Sequence, residues 1–265
     1  MSATAIKIEN RLTQLFATGK KNLLNIYFTA GYPKLEDTMT ILKALEDSGA
    51  DMVEIGMPFS DPVADGPTIQ ESNQKALDNG MSLKKLMSQL QGFRKEVKVP
   101  VLLMGYVNPV IQYGVEKFCK DASEAGVDGL ILPDLPFDQY VEEFKPVFEK
   151  YNLSMVFLIT PQTSEARMKQ IDEVASGFIY VVSTFSITGA AGKDITNSED
   201  YFKRVQAAKL KNPTMIGFNV KDNASYTFAG KYANGAIIGS AFINVLSQSK
   251  DLKTDIQKFV KSVKN

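Results

Sequence analysis

The chain contains no histidine. That absence removes Ser-His-Asp and Cys-His nucleophilic machinery and leaves transition metals without their commonest ligand, so catalysis has to run on carboxylates, hydroxyls, lysine or backbone groups. A single cysteine, Cys119, excludes an internal disulfide and a cysteine-rich zinc site. It lies in the helical pattern GVEKFCKDASEAG and reads as a packing residue. Excess charge of either sign is also missing: 30 Lys plus Arg balance 30 Asp plus Glu, which offers no whole-chain attraction for nucleic acid or an anionic membrane. No apolar run approaches membrane-spanning length. The N-terminal stretch MSATAIKIENRLTQLF carries Lys7, Glu9 and Arg11 and has no long apolar centre, so neither a secretory signal nor an anchor is expected, and a cytoplasmic location is.

What the chain does have is a repeated pattern. Apolar, β-branched runs at Leu23–Phe28, Met52–Gly56, Pro100–Met104, Gly129–Leu132, Met155–Leu158, Phe178–Val182, Met215–Phe218 and Ala236–Ile238 predict eight strands. Helically spaced segments lie between them, among others Leu35–Ser48, Leu83–Val97, Val115–Ala125, Asp138–Lys150, Ser164–Val174 and Asp200–Lys209. Glycines in SGAD, AGVDG and NGAI read as helix C-caps just before the next strand. Eight such units match an α/β fold of the (β/α)8 barrel type better than an open doubly wound sheet. With no linker or composition break, the reading is one domain over residues 1–265. An additional helix, Ile6 to Ala17, is expected to close the bottom of the barrel.

Two carboxylates stand out in MVEIGMPFSDPVADGPTIQ, residues 52–70. Strand alternation puts Met52, Glu54 and Gly56 on one face and Val53 and Ile55 on the other. A sheet covered on both faces buries Glu54, and an ionised buried carboxylate costs several kcal/mol or shifts its pKa unless it is paired. Such a group is kept for chemistry more often than for stability. Asp65 follows in a loop stiffened by Pro58, Pro62 and Pro67, placed to lie over the strand end. Two carboxylates in different surroundings make an acid/base pair.

Catalytic side chains of a barrel stand at the C-terminal ends of strands and in the loops after them. Strand ends here also supply Tyr27, Tyr106, Asp134 and Tyr180, although the tyrosines equally fit rim packing with a satisfied hydroxyl and Asp134 equally fits a helix cap. The second half carries a phosphate pattern: STFSITGAAGKD after strand six, IGFNV at strand seven and IIGSAF at strand eight. Small residues at all three places let backbone N–H groups approach an anion, with Gly239-Ser240 at a helix N-terminus.

These residues resemble the tryptophan synthase α-subunit family. EIGMPFSDPVADGPTIQ carries the resemblance, which extends through NRLTQLF, FTAGYP, GYVNPV, GVDGLILPDLP, ITGA and IIGSA over nearly the whole chain. It implies retro-aldol cleavage of indole-3-glycerol phosphate to indole and glyceraldehyde 3-phosphate, with no metal or organic cofactor. It also implies Glu54 as general acid/base and Asp65 as the ionised acceptor of the indole N–H. Tyr180 matches the family's active-site tyrosine, Tyr27, Ile69 and Met104 would form an apolar slot, and Tyr106, Asp134 and Thr188 join the substrate-binding set. Gly189, Asn219, Gly239 and Ser240 would hold the phosphate. Thr184, Ser186 and Asn219 depart from the residues many members carry, touching loop closure and the phosphate cradle; Asn219 tolerates the left-handed backbone of the glycine it replaces. The implied partner is a pyridoxal-phosphate β subunit in an α2β2 heterotetramer, docking through loops that include Asp61, Pro62 and Asn108. Another phosphate-binding barrel enzyme, or a binding module that needs its partner for activity, stays open on the residues alone.

Overall fold

A computed structural model describes residues 8–183 and 195–265. Eight parallel strands close into a barrel in sequence order: β1 (Leu23–Thr29), β2 (Met52–Gly56), β3 (Val101–Met104), β4 (Gly129–Ile131), β5 (Ser154–Ile159), β6 (Ile179–Val182), β7 (Thr214–Gly217) and β8 (Gly235–Ile238). Closure is made by β1 against β8, with Leu23 opposite Gly235 and Asn25 opposite Ile237. This confirms the eight expected strands and the barrel, with boundaries moved by a residue or two.

Strand alternation divides the core in two. Met52, Leu102, Ile131, Val156, Phe178, Met215 and Ile237 fill the barrel lumen, while the alternate residues, such as Val53, Leu103, Leu130 and Ile216, pack outward against the helices. Gly235 is a strand residue, not the helix cap expected from NGAI. A Cβ there would stand 2.0 Å from the Leu23 carbonyl oxygen, so glycine is what lets the last strand meet the first. Gly49 and Gly126, by contrast, take the left-handed conformation at helix ends as expected, with φ of +95° and +103°.

The helical expectation needs three corrections. The Leu83–Val97 segment stops at Gln89, because Gly92 turns left-handed (φ +75°) before a short 3-10 turn at Phe93–Lys95. The Asp138–Lys150 segment passes through a π turn at Tyr140–Phe144 just ahead of Pro146, whose missing N–H and ring are incompatible with a regular helix there. Pro67 is not only a loop stiffener: it opens a helix, Pro67–Asp78, with Gly66 as its N-cap.

The N-terminal helix does plug the bottom. Among the described residues it runs Arg11–Ala17 and is started by a capping box between Asn10 and Thr13. Leu12 is fully buried in the lumen cluster, and Phe16 lies 5.8 Å from the Phe178 ring. Asn10 Nδ2 donates to the carbonyl oxygens of Asp128 (2.7 Å) and Asn152 (3.1 Å). Asp128, 1% exposed, anchors the whole end: one carboxylate oxygen pairs with Arg11 at 3.2 Å, and the other takes the Arg94 guanidinium and the Val101 N–H (2.9 Å).

That arrangement sets an unequal test. Asp128→Ala leaves the largely enclosed Arg94 guanidinium without its counter-charge and the buried Val101 N–H without its acceptor, and is expected to destabilise by about 3 kcal/mol. Arg11→Ala, removing the exposed partner, is expected to cost less than about 1 kcal/mol. Urea unfolding of the two variants measures the difference, and equal losses would contradict this anchoring role.

Candidate active site

Glu54 is fully buried in the middle of β2, paired in register with Tyr27 of β1 on one side and Leu102 of β3 on the other. Its Oε1 accepts a 2.6 Å hydrogen bond from Asn25 Nδ2, and among the described residues Oε2 has no partner. Burial pushes the carboxyl up to about 8, opposed only in part by the Asn25 bond. Asn25 escaped the motif analysis. The signal was available, since Asn25, Tyr27 and Thr29 are polar residues at alternate, lumen-facing positions of an otherwise apolar strand.

Asp65 is held by its loop. Its N–H donates to the Pro62 carbonyl at 3.0 Å, and its own carbonyl accepts from Gln70 Nε2 at 2.8 Å, so the helix that follows reaches back to the loop. The carboxylate accepts the Tyr106 hydroxyl at 3.1 Å, while that hydroxyl accepts the Ala64 N–H at 3.0 Å. Burial raises Asp65 to about 6, with the Tyr106 bond acting the other way. Tyr106 therefore orients Asp65, and is itself packed on Phe59 at 5.2 Å between ring centres. Asp134 stands elsewhere. It is exposed and accepts the Val107 N–H at 2.9 Å, so it fills the helix-cap reading, on the helix Val107–Tyr113 after β3.

Between the two carboxylates opens a cleft at the C-terminal end of the barrel. Tyr27, Ile69, Met104 and Tyr180 line it together with Glu54 and Asp65, and Phe218, Val220 and Ile237 add apolar wall. A second space, lined by Tyr106, Met57 and Leu158, shares Tyr27, Asp65, Met104 and Phe218 with it. The two tyrosines are seated alike. A Cβ on Gly56 would fall 2.1 Å from the Tyr27 hydroxyl, and one on Gly217 would fall 2.2 Å from the Tyr180 hydroxyl. Each ring thus leans over a glycine on the following strand. Tyr27 also approaches a buried hydroxyl pair, Thr29 with Ser72 at 2.7 Å.

On the far side, β7 is followed by two left-handed residues, Phe218 (φ +67°) and Asn219 (φ +58°). Asparagine suits that region; phenylalanine does not, and its ring is held edge-on to Tyr180 at 6.0 Å. Gly239 and Ser240 line the cleft where the helix Ser240–Gln248 begins, with its N-terminal N–H groups available to an anion. Gly239 faces Tyr27 across the cleft floor: an added Cβ there would come to ordinary contact distance of the ring, 3.6 Å. Thr188 and Gly189, with Thr184 and Ser186, lie outside the described residues. Among the described residues no group of three or more acidic or cysteine side chains is arranged to hold a metal ion, and no helix is long and apolar enough to cross a membrane.

The comparison with known proteins agrees with this geometry. Residues 12–265 match the family described as tryptophan synthase alpha chain. The tryptophan synthase alpha chain of Flavobacterium johnsoniae is 53% identical over 255 residues, spanning 96% of this chain and all of that one. That of Parabacteroides distasonis is 48% identical over 96% of this chain and 99% of its own. The crystal structure of tryptophan synthase subunit alpha from Legionella pneumophila superposes with a TM-score of 0.85 at 35% identity, covering 97% of both chains. The buried Glu54, the Asp65 loop and the open helix N-terminus thus sit in a chain that belongs to the tryptophan synthase alpha chain family.

Proposed function

We propose that Glu54 and Asp65 divide the proton chemistry of indole-3-glycerol phosphate cleavage to indole and glyceraldehyde 3-phosphate, the lyase reaction of the family to which this chain belongs. One observation carries the assignment: two carboxylates face one cleft, and burial holds one near 8 and the other near 6. Near neutral pH Glu54 is then the acid and Asp65 the anion.

The steps follow from those states. Protonated Glu54 gives its proton to indole C3, and positive charge spreads onto the indole nitrogen. Ionised Asp65 accepts the N–H bond and stabilises that charge in a cleft with largely apolar walls, where it counts for more than in water. The Glu54 carboxylate left behind takes the proton of the adjacent carbinol hydroxyl. As the aldehyde C=O forms, the C–C bond breaks and its electron pair returns to the ring, restoring indole. Glu54 ends as it began, protonated, and the reaction needs no external acid or base. Tyr27, Ile69, Met104, Tyr180 and Phe218 supply the apolar slot for the ring. Asn219, Gly239 and Ser240 place backbone N–H groups and a helix N-terminus for the phosphate, so no lysine is required there.

The partner reading rests on the rim. The loop after β2 exposes Asp61 and the apolar Val63, 80% accessible, and the neighbouring unit after β3 exposes Asn108 and Ile111, 48% accessible. Apolar side chains at the mouth of the cleft, beside polar ones, suit a docking surface for the β subunit of a tryptophan synthase. Because the same loop carries Asp65, docking there orders a catalytic group.

Turnover of variants, pH dependence, stability and the response to β each test this reading. Glu54→Gln is expected to lower kcat at least about a hundredfold, and Asp65→Asn comparably, since an amide supplies neither the proton nor the charge. In the free enzyme kcat/KM should be bell-shaped, rising as Asp65 ionises near 6 and falling as Glu54 ionises near 8. E54Q should abolish the activity yet stabilise the fold. Folded Glu54 keeps its proton to about 8 while the unfolded chain releases it at the ordinary carboxyl value, so across that window the native state binds more protons and stability falls as pH rises. The variant lacks that fall, and its advantage in urea unfolding should grow from about pH 5 to pH 8 at up to about 1.4 kcal/mol per pH unit. A constant difference would refute the buried, neutral Glu54. For the partner, indole production by the chain should rise at least about tenfold on adding β, roughly 1.4 kcal/mol of barrier. Val63→Asp should weaken the complex in sedimentation, and equal rates with β bound would make the chain a stand-alone lyase.

A further inference from the structure

Glu54 has two oxygens with different surroundings, and the difference comes from one residue. Asn25 precedes Tyr27 by two positions on β1, so its side chain points into the lumen one level below the cleft. It is fully buried, and its Nδ2 lies 2.6 Å from Glu54 Oε1. Both remaining polar atoms of this pair, Asn25 Oδ1 and Glu54 Oε2, are buried without a partner among the described residues. A buried amide left half unsatisfied costs stability, and an apolar residue would fill the lumen more cheaply. The neighbouring lumen residues Met52 and Ile237, which pair with Asn25 on either side, are apolar.

We infer that Asn25 is a positioning residue for the lyase reaction: by donating to Oε1 it fixes that oxygen as the acceptor and leaves Oε2 as the one that carries the proton towards the substrate. A carboxyl that is free to rotate presents either oxygen. With Oε1 held by an N–H donor, the O–H of the neutral acid is confined to Oε2, the oxygen without a competing partner, and the same oxygen is free to take up the hydroxyl proton in the second step. The bond is also stronger to a carboxylate than to a neutral acid. It therefore favours ionisation and moderates the upward push of burial. The inference rests on the acid/base role proposed for Glu54.

Few other groups compete for control of Glu54. Among the described residues, the titratable side chains facing it are Tyr27 from β1, Tyr180 from β6 and Asp65 across the cleft. Burial raises both tyrosine hydroxyls far above neutrality, so they stay uncharged through the working range. β3 presents Leu102 and Met104 and β8 presents Ile237, none of which titrates. Among the described residues Asn25 is the hydrogen-bond donor to Glu54.

The test is Asn25→Val, which removes the donor together with the unsatisfied carbonyl and is expected to fold at least as stably as the native chain. Titration of the Glu54 carboxyl carbon by NMR, its resonance identified by its loss in E54Q, should show the midpoint raised by about one pH unit. The basic limb of kcat/KM should move up by the same amount, with kcat reduced about tenfold and KM little changed because the phosphate contacts are untouched. A purely structural role would alter stability and move neither titration. An unmoved midpoint, or one that falls because the amide had instead accepted the Glu54 proton through its oxygen, would overturn the inference. The two readings are separable: E54Q with native turnover removes the acid/base role itself, whereas an inactive E54Q beside an Asn25→Val enzyme of native pH profile removes the inference about Asn25 alone.

Discussion

A closed parallel barrel sends every second side chain of every strand into a lumen with no room for bulk water, and that constraint governs the rest of this molecule. Most of the inward positions meet it with apolar volume, from Leu12 at the plug up to Met104 and Phe218 at the mouth. β2 breaks the rule with Glu54, and β1 breaks it with Asn25 beside it. The carboxyl is neutral near physiological pH because the lumen cannot solvate its charge. The lumen is shielded because strands, plug and helices close around it. The chemistry proposed for the site is thus a property of the whole fold, concentrated at one side chain.

The same constraint explains how the cleft exists at all. Tyr27 pairs with Glu54 and leans over Gly56, two residues further along the next strand; Tyr180 pairs with Met215 and leans over Gly217, again two further along. A side chain at either glycine would force the aromatic ring to shift, towards the cleft. Small residues on one strand therefore set the tilt of large ones on the preceding strand, and the apolar slot is what remains between them. The mouth is finished by backbone: the left-handed pair Phe218 and Asn219 turns the chain after β7, while Gly239 leaves the helix N-terminus open opposite.

Much of this was legible in the sequence, for physical reasons that can be named. Fully buried parallel strands read as short apolar runs bounded by turn residues, so β1 to β8 were found within a residue or two. Glu54 was conspicuous because it interrupted such a run. Helices fared worse where they depended on tertiary context: Pro67–Asp78 has a weakly apolar sequence, and Leu83–Val97 looked continuous because Gly92 is tolerated in a helical pattern until its backbone angle is known. Gly235 was misread as a cap because sequence does not distinguish a glycine needed for a left-handed turn from one needed for close approach. Asn25 and Ser72 were missed since their meaning lies in what they touch across strands. Asp134 shows the converse, a side chain whose strand-end position suggested substrate and whose contact is a helix N-terminus.

The pairing of β1 with β8 has a consequence for how the molecule is made. Leu23 meets Gly235 and Asn25 meets Ile237, so the first strand to leave the ribosome finds one of its two neighbours only when about two hundred further residues have followed. Until then β1 presents an unsatisfied edge, and the helix that carries Leu12 has no complete lumen to enter. At a synthesis rate of roughly 5–20 residues per second the wait lasts on the order of ten seconds or more. The barrel is therefore an assembly whose first piece is locked by its last, and Gly235, by admitting the Leu23 backbone, is where the ring closes.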